Sequence, residues 1–199
     1  MGAVMTDGLM SDLQLAGYSV TSVDDLRRSG VPYADAVPLL LKWLPRAPTS
    51  NDKEGIVRAL SVPWAKKEAL VPLIAEFAVD PAPGTVQDEL VRWAVGNALE
   101  VLWDDSEFEA LSSLVLDPRF GRARQMVVLG LGKSRHPEVG QILLDLMEDP
   151  EVNGHAVISL AKTLRKFSTP QAREALTEKL TDERVWVRKA AQRALARKS

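Results

Sequence analysis

Four segments of this 199-residue chain align on an aspartate, and this recurrence limits the fold more than any local pattern does. The aspartates are Asp80, Asp117, Asp149 and Asp182, spaced 37, 32 and 33 residues apart; the first three precede proline and the last precedes Glu183. Six residues before each lies Ile74, Leu111, Leu143 or Leu176, and two before each lies Ala78, Val115, Met147 or Leu180. Further apolar positions fall three and four residues apart, the spacing of a helix face turned inward. After each aspartate a short polar break leads into a second amphipathic stretch. Its apolar stripe is Val91, Ala94, Val95, Ala98 and Leu99 in one copy and Val187, Ala190, Ala191, Ala194 and Leu195 in another. Two further stripes run through Ala123, Met126, Val127, Gly130, Leu131 and through Gly154, Val157, Ile158, Ala161. Alanine and glycine at these positions let neighbouring helices approach closely.

A looser copy precedes these. Val37-Pro38-Leu39-Leu40 echoes Val71-Pro72-Leu73-Ile74 at an interval of 34 residues, with a second helix expected over 52–61. Proline inside a helix costs about 3 kcal/mol unless a bend absorbs the lost hydrogen bond. Two prolines at one phase therefore predict a bend in the first helix of each pair. Helix starts are expected at Asn51 with Glu54, Thr85 with Asp88, Ser106 with Glu109, and Thr169 before Pro170. Pro45–Thr49 and Asp80–Gly84 read as connections. A helical hairpin cannot bury its apolar face alone, so repeated hairpins stack. The expected fold is an all-α, right-handed α-solenoid of about five hairpins. It forms a single domain, with residues 1–30 as capping helix or helices and 31–199 as the repeats.

The chemistry on offer is sparse. No cysteine is present, which removes disulfides, thiolate metal sites and a cysteine nucleophile. The two histidines, His136 and His155, fall in different repeats without an acidic neighbour at ligand spacing, so no metal site is expected. Gly130-Leu131-Gly132-Lys133-Ser134 lacks the first glycine of a phosphate loop, since residue 127 is valine, and reads as a helix stop. Trp103-Asp104-Asp105 is the most suggestive acidic cluster, either a pocket or a core tryptophan beside a helix cap. Neither a catalytic residue nor a cofactor is expected. No apolar run approaches the ~18 residues of a membrane span, and no secretory signal opens the chain, so a cytoplasmic protein without membrane contact is expected.

Charge is uneven. Residues 1–117 hold 9 basic and 18 acidic residues, whereas residues 118–199 hold 16 and 9. Such a dipolar chain either steers an acidic partner toward one end or simply solvates its outer helix faces.

The run Asp182 to Leu195, with Val187-Arg188-Lys189-Ala190-Ala191-Gln192-Arg193-Ala194-Leu195, resembles the HEAT repeats, especially the short HEAT-like type of phycobilisome lyases. Val91-Arg92-Trp93-Ala94 and Val57-Arg58-Ala59-Leu60 repeat its start. The resemblance covers roughly residues 35–199, with intervals shorter than the ~40–47 residues of full units. His155 stands where arginine is expected. The resemblance implies that Arg58, Arg92, Arg124 and Arg188 bond to the aspartate side of the turn. It also implies that the second helix of each pair lines a concave binding face, carrying Arg92, Trp93, Gln125, His155, Lys189, Gln192 and Arg193. Trp93 and Trp186 either pack between repeats or anchor a partner; Trp43 and Trp64 are expected in the core. The expected function is a non-catalytic protein-binding scaffold, monomeric or homodimeric. The alternative is nucleic-acid binding through the basic C-terminal third. In one HEAT-like family, the alkylpurine DNA glycosylases, an aspartate and aromatic residues line a basic groove. Here Arg124, Lys133, Lys162, Lys166, Arg188, Lys189 and Arg193 would stand in for that groove.

Overall fold

The computed structural model describes residues 3–79 and 85–196, so the connection expected over Asp80–Gly84 lies outside the described residues. Among the described residues all regular structure is helical, twelve α-helices with short 3-10 turns and no strand. The three- and four-residue apolar spacing accounts for this, because it gives each segment one face to bury as a helix and none as a strand. The helices divide into two compact units, Met1–Leu102 and Trp103–Ser199.

The first unit holds α1 (Ala3–Leu15), α2 (Val23–Arg28), α3 (Val37–Trp43), α4 (Ser50–Leu60), α5 (Lys66–Phe77) and α6 (Val86–Leu102). Within it, α3 packs on α1 and α5, and α4 packs on α2 and α6; α3–α4 and α5–α6 join the two rows. The two N-terminal helices thus continue the same alternation as the pairs that follow. The α6 stripe expected from sequence, Val91, Ala94, Val95, Ala98 and Leu99, is buried throughout. Burying an aliphatic side chain of this kind contributes about 1.5–3 kcal/mol.

Three expectations need correcting in this unit. Pro38 stands in the first turn of α3, where its missing N–H costs nothing, whereas Pro72 is inside α5, so the two prolines are not equivalent. α4 is capped by Thr49, not Asn51: Thr49 Oγ1 accepts from Asp52 N at 3.2 Å. Trp64 is 43% exposed, edge-on to Tyr33 at 5.5 Å, and is not a core residue. Trp43 is half-buried against Gly8, and its Nε1 donates to Asp12 at 2.8 Å. The cap at Thr85 is as expected: its Oγ1 accepts from Asp88 N at 3.3 Å and its own N–H donates to Asp88 at 2.9 Å.

The second unit holds α7 (Phe108–Leu116), α8 (Arg124–Leu131), α9 (Val139–Leu146), α10 (Asn153–Thr163), α11 (Pro170–Glu178) and α12 (Val185–Leu195). Here α10 packs on α8 and α12, and α9 packs on α11; α7–α8, α9–α10 and α11–α12 are close pairs. The recurring aspartate has one job at all three of its positions in this unit. Asp117, Asp149 and Asp182 each accept from the backbone N–H two residues on, Arg119 at 3.0 Å, Glu151 at 2.9 Å and Arg184 at 2.9 Å. This side-chain turn reverses the chain between the helices of a pair. Thr169 caps α11 as expected, accepting from Ala172 N at 3.1 Å. Ser106 does not cap α7. Asp104 accepts from Ser106 N at 3.1 Å and opens a 3-10 turn, after which α7 begins at Phe108.

Candidate functional site

The repeated arginines are structural, but not through the aspartate carboxylates alone. Arg92 donates from Nη2 to Val79 O at 2.9 Å and from Nε to Phe77 O at 3.4 Å, at the end of α5. Arg188 donates from Nη1 to Asp182 O at 2.6 Å and Glu183 O at 2.8 Å. Arg124 is only 1% exposed; it donates to Val115 O at 3.1 Å and Gly121 O at 3.0 Å, and pairs with Asp149 at 2.8 Å. A planar guanidinium with several donors satisfies carbonyls left open at the end of the preceding helix, Phe77 and Val115, and in the turn that follows it, Val79, Gly121, Asp182 and Glu183. Arg58 departs from this use and pairs with Glu54 one turn earlier in α4. Arg92 therefore fastens a helical pair, and Gln125 has a similar tie. Its Nε2 donates to Glu151 O at 2.8 Å, holding α8 to the turn before α10.

The remaining expected residues of the second unit gather around α12. Val187, Ala191 and Ala194 are buried, whereas Val185, Trp186, Lys189, Gln192 and Arg193 are exposed along the opposite side. Trp186 is seated on one side and open on the other. Its ring fills the space that a Cβ at Gly154 would need, and lies 5.5 Å from the half-buried His155 ring and 5.4 Å from the Arg184 guanidinium. Yet the residue stays 43% exposed. Arg184 is itself fixed, with Nε and Nη2 on the two Asp182 carboxylate oxygens, each at 2.9 Å, and Nη1 on Asn153 Oδ1 at 2.8 Å. Those Arg184 hydrogen bonds hold the Asp182 carboxyl down at about 2. Burial, then the charges of Arg184 and Arg122, push His155 below its ordinary value, so the imidazole is neutral at pH 7.

Trp93 belongs to the other unit, on α6, and is 40% exposed. Arg184, Asn153 and Gly154 are the parts of the Trp186 seat that sequence reasoning missed as a group. The only sequence signal for them is a glycine inside a helical stripe, which reads as a helix–helix contact. An indole occupies that space, as Trp103 does over Gly130.

No family model, curated protein or solved structure matches the chain. The chemistry of the site must therefore be judged from its own groups. The Trp103-Asp104-Asp105 cluster is a structural corner: Asp105 accepts from Trp103 Nε1 at 3.0 Å and Arg135 N at 2.8 Å. Burial raises that carboxyl, and hydrogen bonds from Ser134, Arg135 and Trp103 outweigh it, leaving it below its ordinary value. The His136 ring stacks on Phe108 at 3.7 Å and 19°, and Ser134 is wholly buried. Among the described residues no group of three or more His, Asp or Glu could hold a metal ion. No helix there is long and apolar enough to cross a membrane. A cleft of about 300 Å³ between α9 and α11 is rimmed by Asp145, Glu148, Glu174 and Glu178. On α12 an anchored aromatic ring, Trp186, two cations, Lys189 and Arg193, and the Gln192 amide face solvent together.

Proposed function

We propose that the chain is a HEAT-like α-solenoid whose function is to hold another protein, with no chemistry of its own. The open face of α12, with Trp186 as anchor and Lys189, Gln192 and Arg193 around it, is the docking surface. Support for the repeat comes from helices that pair in chain order within each unit and from the same aspartate turn at Asp117, Asp149 and Asp182. The observation that carries the binding role is Trp186 held by Gly154, His155 and Arg184 yet left 43% exposed. A rigid, half-desolvated aromatic beside cations is the composition of an interface hot spot, because little entropy remains to be lost on docking. A cytoplasmic setting and a macromolecular partner without any cofactor complete the reading.

Nucleic acid is the less favoured partner. Of the cations that a basic groove would need, Arg124 is buried against Asp149, Arg188 is committed to backbone carbonyls, and Lys166 donates to Ser134 O at 3.3 Å. Phosphate binding needs cations that are free to replace counterions. Affinity capture from cytosol, comparing the native chain with a Trp186→Ala, Lys189→Glu, Arg193→Glu variant of unchanged circular dichroism, tests the proposal. One protein retained by the native chain and lost from the variant is expected. An identical set on both baits, or salt-sensitive binding of duplex DNA that the variant loses, would overturn it.

A further inference from the structure

α6 carries a second apolar feature that its own packing leaves uncovered. Val86, Leu90 and Trp93 follow one another at four and three residues, on the side of the helix opposite the buried Val91, Val95 and Ala98. They are 75%, 49% and 40% exposed. Large apolar side chains left in water along two turns of one helix face mark a contact surface. Glu89 is exposed between Val86 and Leu90, and residues 1–102 carry 9 basic against 13 acidic residues. An occupant must therefore offer apolar side chains flanked by cations.

The chain itself contains such an element. α12 exposes Val185 and Trp186, then Lys189 and Arg193, and no acidic residue lies between Val185 and Leu195. We propose that α12 of one copy docks on the Val86–Leu90–Trp93 stripe of a second copy. Stripe-on-stripe pairing would instead bring two Glu89 carboxylates to one seam, where like charges repel. The contact joins two unlike surfaces, so copies either close on one another reciprocally or add on in series, and in both cases the mass rises with concentration. This goes beyond the partner-binding reading but uses the same α12 face, so a bound partner competes with self-association.

Sedimentation velocity of the full chain, alone in buffer, tests this without any partner; its failure leaves the partner reading untouched. The native chain is expected to grow in mass with concentration and to fall back toward monomer in high salt. Leu90→Glu alone, and Lys189→Glu with Arg193→Glu alone, are each expected to remain monomeric. Both sets of changes lie on exposed positions, and circular dichroism checks that the fold is kept. Mixing the two variants restores one good stripe and one good α12, and is expected to give a species of two chains and nothing larger. A native chain that stays monomeric at every concentration overturns the proposal. So does association that persists in the Lys189→Glu, Arg193→Glu variant, or a mixture that stays monomeric while the native chain associates.

Discussion

Arg124 and Gly130 show how much depends on single positions in the second unit. Arg124 is a wholly buried cation whose charge is balanced by Asp149 and whose other donors go to Val115 O and Gly121 O. Removing only the carboxylate leaves the guanidinium buried and uncompensated, so Asp149→Ala is expected to cost about 3–5 kcal/mol in urea unfolding. Arg124→Met removes the charge itself and fills the space, so it is expected to cost less. The reverse order would show that the pair is not what holds the arginine inside. Gly130→Ala places a methyl group into the Trp103 ring and is expected to cost about 1–3 kcal/mol. Combining it with Trp103→Leu should recover part of that loss, and a double-mutant cycle measures the coupling. Neither role was legible in the sequence. Arg124 lies one residue after an apolar stripe position, and nothing local distinguishes a guanidinium that turns inward from one facing a groove. A glycine in a helical stripe announces a close approach but not whether backbone or indole will fill it.

At the level of the helical pair, the aspartate turn was legible and its partners were not. The intervals located Asp117, Asp149 and Asp182 correctly, because a residue that turns the chain must recur at the period of the pair. What sequence spacing could not supply was the direction of the arginines: Arg92 and Arg124 turn back to carbonyls at the end of the first helix and in the turn after it, Arg188 to turn carbonyls alone, and Arg58 to Glu54 of its own helix. Helix starts at Thr85 and Thr169 were readable. Those at Thr49 and Asp104 were missed by two residues, because another polar residue followed within the first turn and, at Asp104, because a 3-10 turn intervened. Asp182 gives this scale its pH dependence. Its folded carboxyl is held at about 2, against an ordinary 3.8, by the Arg184 guanidinium. The unfolded chain therefore takes up the proton first on acidification, so the stabilisation is complete above about pH 4 and is lost as pH falls toward 2. Asp182→Asn is expected to flatten the stability–pH curve over that window and to lower the plateau above it. An unchanged acid limb would show that the Arg184 pair adds nothing to folding.

Across the whole molecule the all-helical character was legible throughout, while the uncovered surfaces were only partly so. From sequence Trp93 and Trp186 read as residues that either pack or anchor; the structure leaves both exposed, one on each unit, while Trp64, expected inside, is exposed too. Exposure depends on what a helix lacks as a neighbour, which one segment's periodicity cannot report. The seat of Trp186 also makes the surface observable in solution. A protonated imidazole quenches a neighbouring indole, and His155 is held neutral at pH 7 by burial and by Arg184 and Arg122. The emission lost in a Trp186→Phe variant should therefore be bright at pH 7 and dim on acidification, with its midpoint below the ordinary 6.5 of histidine. Covering the ring with a partner strips water from His155 and drives that midpoint lower still. The surface thus carries its own optical gauge of occupancy, and a titration of light against acid can tell an empty chain from a loaded one without any attached dye.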